Sequence, residues 1–111
     1  MPDKPNVKKV SAFPFPITIT LGALVLTGQV VKMTGLGLMA EVTSGLVAAG
    51  DKVEMSFVFP VVKEPIACSG VVVKLLQQVN RPRLVEIHFK NIPDQTREKI
   101  ANYLAAAGVK P

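Results

Sequence analysis

Gly50-Asp51-Lys52-Val53-Glu54-Met55-Ser56-Phe57-Val58-Phe59-Pro60 is the stretch that decides the fold class of this chain. Gly-Asp is a turn signal. After it, Val53, Met55, Phe57 and Phe59 fall on one side and Glu54 and Ser56 on the other. A period of two belongs to a half-buried β-strand, because successive side chains of a strand point to opposite faces. A helix would place its apolar residues every three to four positions. Pro60 and Pro65 then bracket a loop or edge, since proline cannot donate to a β-ladder.

The same alternation extends in both directions. Phe15-Pro16-Ile17-Thr18-Ile19-Thr20-Leu21 alternates apolar and hydroxyl residues, and Gly22-Ala23 turns the chain into a second strand from Leu24 to Val31. Thr34 to Gly37 reads as a turn before Leu38 to Val42. Ile66 to Leu76 is a longer, Val-rich strand in which Gly70 is expected to mark a bulge. Asn80-Arg81-Pro82-Arg83 reads as a loop, after which Val85, Ile87 and Phe89 alternate with Glu86, His88 and Lys90.

Helical periodicity appears only at the end, over about 94–107. Asp94 is the expected N-cap, Ile100, Tyr103, Leu104 and Ala107 form the apolar stripe, and Gly108 stops the helix. The pattern predicts a mainly β fold, a six-stranded antiparallel closed barrel with a C-terminal α-helix. Residues 13–111 form one domain in this reading, behind a flexible, basic N-terminal arm of residues 1–12.

Composition narrows the function classes. Hydrophobic residues make up 49% of the 111 and charged residues 19%, with a mean hydropathy of +0.36. Such a chain buries a large core and is not disordered. The net charge of +5 suits a phosphate-bearing ligand, an acidic partner or an anionic surface as well as plain solubility. Aromatic residues are only 5% and tryptophan is absent, which leaves little for stacking single-stranded nucleic acid. Val10 to Val31 carries no charge, but Thr18, Thr20, Thr27, Gln29, Gly22 and Gly28 interrupt it. A pair of strands, not a membrane helix, is the expected structure. One cysteine, Cys68, allows no internal disulfide, and a reducing cytoplasm is the expected location.

The usual catalytic constellations are not assembled. Ser44, Ser56 and Ser69 have no recognisable base partner, and Asp51 and Glu54 flank a turn and diverge once the strand begins. His88, the only histidine, alternates away from the apolar side of its strand, and no second ligand accompanies it for a metal. The expectation is a non-enzymatic protein without metal or cofactor. Arg81 and Arg83 around Pro82 form a basic loop suited to a protein partner. Leu36 to Ala40 with Leu46 to Ala49 is apolar for turn-flanking sequence, and serves either as core or as a face for a partner or a second copy.

The order of these elements resembles the PilZ domain, a six-stranded barrel of bacterial proteins that respond to cyclic di-GMP. Gly50 to Pro60 is similar to the family's turn and central strand, Ile66 to Val73 to its Gly-Val-Val strand, Val85 to Phe89 to a later strand, and Arg97 to Leu104 to its terminal helix. The family's ligand signature pairs an Arg-x-x-x-Arg segment before the first strand with an Asp/Asn-x-Ser-x-x-Gly turn after the second. Here Lys32-Met33-Thr34-Gly35-Leu36-Gly37 occupies the turn position. Thr34 replaces Ser and Gly37 is kept, but Lys32 stands where the family has an acceptor, and lysine only donates. Upstream of Phe15 the cations are Lys4, Lys8 and Lys9, with no arginine, and a lysine lacks the guanidinium fork that clamps a phosphate or a guanine edge.

The resemblance therefore implies a signalling or adaptor module in a cyclic di-GMP, motility or type IV pilus context, acting through protein contacts because its ligand motifs are degenerate. Its altered site comprises Lys8, Lys9, Lys32, Thr34, Gly35 and Gly37. Two alternatives stand beside it: a cyclic di-GMP receptor using lysines for arginines, and an OB-like barrel binding single-stranded nucleic acid.

Overall fold

The computed structural model describes residues 13–42, 47–60, 65–80 and 82–106. Its strands are β1 (Phe15–Leu21), β2 (Leu24–Met33), β3 (Gly37–Val42), β4 (Lys52–Val58), β5 (Pro65–Leu76) and β6 (Arg83–Lys90), followed by the helix α1 (Asp94–Ala106). They close into an antiparallel barrel in the order β1-β2-β3-β6-β5-β4. Closure is made by β1 on β4, where Ile17 pairs with Phe57 and Thr20 with Glu54. The mainly β, six-stranded barrel with one terminal helix is as the alternation implied. It is not the five-stranded, partly open OB-like barrel held as an alternative.

The inward residues are those the period of two selected. Val53, Met55, Phe57 and Phe59 are all buried, as are Phe15, Ile17 and Ile19 of β1 and Val85 and Ile87 of β6. Among the described residues no polar or charged side chain is buried, so the core is held by apolar burial without desolvated ion pairs. The helix is tied to one end of the barrel through aromatic rings. Tyr103 stacks on Phe59 with centroids 3.9 Å apart and planes 5° apart, and meets Phe15 edge-on at 6.0 Å. Ile100 and Leu104 complete its buried stripe; Ala107 and Gly108, the expected end of the helix, lie outside the described residues.

Several details correct the sequence reading. Strand β2 runs two residues past Val31, to Met33, and Gly37 already belongs to β3, so the turn is shorter than Thr34 to Gly37. The register slips by one residue between Val30 and Lys32, which makes Val31 a β-bulge. A second slip lies between Val72 and Lys74 on β5, so the bulge is at Val73, not at Gly70. Gly70 pairs in register with Val53. A Cβ there would come within 2.6 Å of Ile87 Cγ2 and 2.8 Å of Met55 Cε, so the absent side chain is what lets the core close over it. Asp94 is the first helical residue and not the cap, because the Arg97 N–H donates to the Pro93 carbonyl at 3.0 Å. Its carboxylate still sits favourably at the positive end of the helix dipole. Arg83 opens β6 opposite Val42, so it is a strand residue and not part of the loop; Arg81 lies outside the described residues.

Candidate ligand turn and the groove around it

The two bulges decide what the β2–β3 turn presents. Strict alternation from the fully buried Val30 would point Lys32 inward. The extra residue at Val31 reverses the phase, so Lys32 is exposed and Met33 is buried at 1%. The bulge at Val73 does the same for Lys74. Lys32, Met39, Glu86 and Lys74 then form one continuous cross-strand row on the outside of the barrel.

The turn itself is closed by hydrogen bonds from its own residues. The Thr34 N–H donates to the Gly37 carbonyl at 2.9 Å, and Thr34 Oγ1 accepts from the Leu36 N–H at 3.1 Å, a threonine turn. The Leu36 carbonyl in turn accepts from the Phe89 N–H at 2.9 Å, which stitches the turn to β6. Gly37 is buried and faces His88 across the ladder. A Cβ on it would fall on the Ile87 carbonyl oxygen and lie 2.9 Å from His88 Cα. Gly35 has nothing within 4 Å of an added Cβ. Of the two glycines, packing requires only Gly37.

Two hollows flank the turn. One, of about 210 Å³, is lined by Lys32, Thr34, Gly37, Met39, Glu86 and His88 among others. In it, His88 Nε2 lies 3.4 Å from Glu86 Oε2, both partly exposed. The other, of about 440 Å³ and largely apolar, lies between the turn and α1 and is lined by Thr34, Gly35, Leu36, Ile92, Arg97, Ile100 and Ala101. Lys32, Thr34, Gly35 and Gly37 thus do come together at the turn. Lys8 and Lys9 lie outside the described residues, and Arg83 is at the far end of the β3–β6 ladder. Glu86, His88, Met39 and Arg97 were not singled out by sequence as part of this place. Met39 follows the turn on β3 and pairs with Lys32, whereas only the pairing of β3 with β6, strands distant in sequence, brings Glu86 and His88 there.

Other reactive groups are disarmed. Burial pushes the Cys68 thiol up to about 11, with the Glu54 charge adding to the effect, so it is a packed hydrophobe and not a nucleophile. Burial likewise raises the Tyr103 phenol. Ser69 Oγ donates to the Glu54 carboxylate at 2.9 Å, an exposed pair across β4 and β5, so this serine does have an acceptor that the sequence did not indicate. Among the described residues no group of His, Cys, Asp or Glu is placed to hold a metal, and no helix is long and apolar enough to cross a membrane. The segment Leu36 to Ala40 is divided: Leu38 and Ala40 are core, while Leu36 is 75% exposed. Of its companion segment, Leu46 lies outside the described residues and Val47 packs against the core.

A closed antiparallel barrel, a terminal helix on one end and a glycine-containing turn beside it define a small barrel module with a surface site. The PilZ domain model matches residues 8–106, and the chain belongs to the PilZ domain family. Among solved structures, the Bacillus subtilis inhibitor of motility MotI/DgrA aligns with a TM-score of 0.76 at 12% identity, covering 88% of this chain and 48% of that one. The PilZ domain of CeSA from a cellulose-synthesizing bacterium aligns with a TM-score of 0.64 at 12% identity, covering 87% and 95%. The chain spans about half the length of the motility inhibitor. No curated protein matches the sequence.

Proposed function

We propose that this chain is a non-enzymatic PilZ module of bacterial cyclic di-GMP signalling, in a motility or type IV pilus setting, that acts through protein contacts and not as a cyclic di-GMP receptor. One observation supports this above the rest: Lys32 stands exposed on the rim of the turn, at the position where the family's Asp or Asn accepts from guanine. An ammonium group cannot accept those N–H donors. No arginine precedes β1 to supply the missing forks. Two bidentate arginine contacts at about 1–3 kcal/mol each correspond to a roughly 30-fold to more than 10,000-fold loss in affinity. Cytoplasmic action, behind the basic arm of residues 1–12, belongs to the same reading.

The test is calorimetric titration of the full chain with cyclic di-GMP at physiological salt, beside a Lys32→Ala variant. The expected result is no saturable heat at high micromolar ligand for either protein. Saturable binding that Lys32→Ala changes would overturn the reading in favour of a receptor that uses lysine for arginine.

A further inference from the structure

The barrel is closed, and among the described residues strand length without a ladder partner is confined to strand ends such as Leu24–Thr27 on β2 and Val73–Leu76 on β5. Side chains on a face or in a groove are the other surface open to a protein partner. The two hollows share Thr34 and Leu36 of the β2–β3 turn as their common wall, so a segment laid across the turn meets both, as one groove with the turn as a ridge in it. Its middle is apolar, floored by the buried Ile92 and Ile100 and edged by Leu36, which is 75% exposed. A cation stands on each side, Lys32 at one end and Arg97 at the other. Both are exposed, and neither has an ion-pair partner among the described residues; Asp94, one turn before Arg97, makes none with it. The one carboxylate in the groove, Glu86, is already opposite His88.

Resting on the protein-contact reading, we infer that this groove seats an acidic segment of a partner protein, one apolar side chain entering between Leu36 and α1 and flanking carboxylates meeting Lys32 and Arg97. Charge complementarity with Lys32 and Arg97, the two exposed cations lining the groove, selects an acidic occupant. Nucleic acid fits less well. Phe15, Phe57, Phe59 and Tyr103 are core, and Phe13 and Phe89 are partly buried against it, which leaves no fully exposed ring on which a base would stack.

The probe is a short fluorescein-labelled peptide with one leucine between runs of glutamate, against a control with lysine for glutamate. Binding is followed by anisotropy and by amide NMR shifts on the full chain. The acidic peptide should bind saturably below about a millimolar, move the amides of Leu36 and Ala101, and weaken about tenfold or more in each of Arg97→Glu, Lys32→Glu and Leu36→Asp. These positions are exposed, and unchanged circular dichroism of the variants keeps folding out of the comparison. No binding, equal binding of the lysine control, or shifts confined to the β1–β4 side would overturn the groove. So would tighter binding there of a mixed oligonucleotide or of phosphatidylglycerol vesicles. The cyclic di-GMP titration fails independently: peptide silence with no nucleotide binding removes the groove alone, whereas nucleotide binding through Lys32 removes the reading beneath it.

Discussion

Replacing Gly37 by alanine isolates what this turn asks of its glycine. The new methyl would fall on the Ile87 carbonyl oxygen and lie 2.9 Å from His88 Cα and 3.1 Å from the Ile87 carbonyl carbon. All three obstacles are backbone, so no rotamer change relieves them, and β3 must draw away from β6 along a ladder that also includes Met39 opposite Glu86. Overpacking costs about 1–3 kcal/mol where side chains give way. With backbone on the receiving side, the upper end, about 3 kcal/mol, is expected. That is a large part of the roughly 5–15 kcal/mol that holds a domain together, and corresponds to a fall of about 10–20 °C in Tm. The assay is urea unfolding followed by circular dichroism, with Gly35→Ala as its partner. Gly35 has open space around it and a negative-φ backbone, so its variant should stay within about 0.5 kcal/mol of wild type. A Gly37→Ala protein as stable as wild type, or a Gly35→Ala protein equally damaged, would refute the packing argument.

Two more outcomes follow from the core. Tyr103→Ala removes the ring stacked on Phe59 and should cost about 3–4 kcal/mol. Amide exchange in α1 should accelerate far more than in β4, and equal protection in both would contradict the anchoring role. For Cys68, the folded thiol titrates near 11 against an ordinary 9.0. Its neutral form is favoured by the fold, so this contribution is complete below pH 9 and is lost as pH rises through 11. It reaches up to about 2–3 kcal/mol. Cys68→Ala should flatten that part of the stability profile, while Tyr103, raised in the same direction, keeps a remainder; an unchanged slope in the variant would exclude Cys68 as the source.

The barrel wall was legible because burial and backbone geometry repeat together. Val53 to Phe59 and Phe15 to Leu21 each carry the whole signal in their own residues, and the structure buries what they mark. The bulges were not legible. Val31 and Val73 are ordinary strand residues with nothing in their chemistry to announce an extra step, whereas Gly70 advertises one and is instead a place of close packing. The turn Lys32 to Gly37 could be found from its glycines and hydroxyl. Its surroundings could not, because Glu86, His88 and Arg97 arrive through contacts across about fifty residues of chain or more.

The extra residue at Val31 works as a phase inverter in the wall of the barrel. Upstream of it, a residue's parity along β2 decides whether it faces oil or water; downstream the meaning is swapped. Pairing Val31, Lys32 and Met33 in plain alternation, with the valine counted as an ordinary step, would drive an ammonium group into the hydrocarbon interior and lift Met33 onto the outside; taking the valine out would leave both where they are. The bulge therefore lets the rim of this barrel change its chemistry without disturbing the oil beneath it. A cation can be carried on the rim of this turn because the wall behind it keeps its own count.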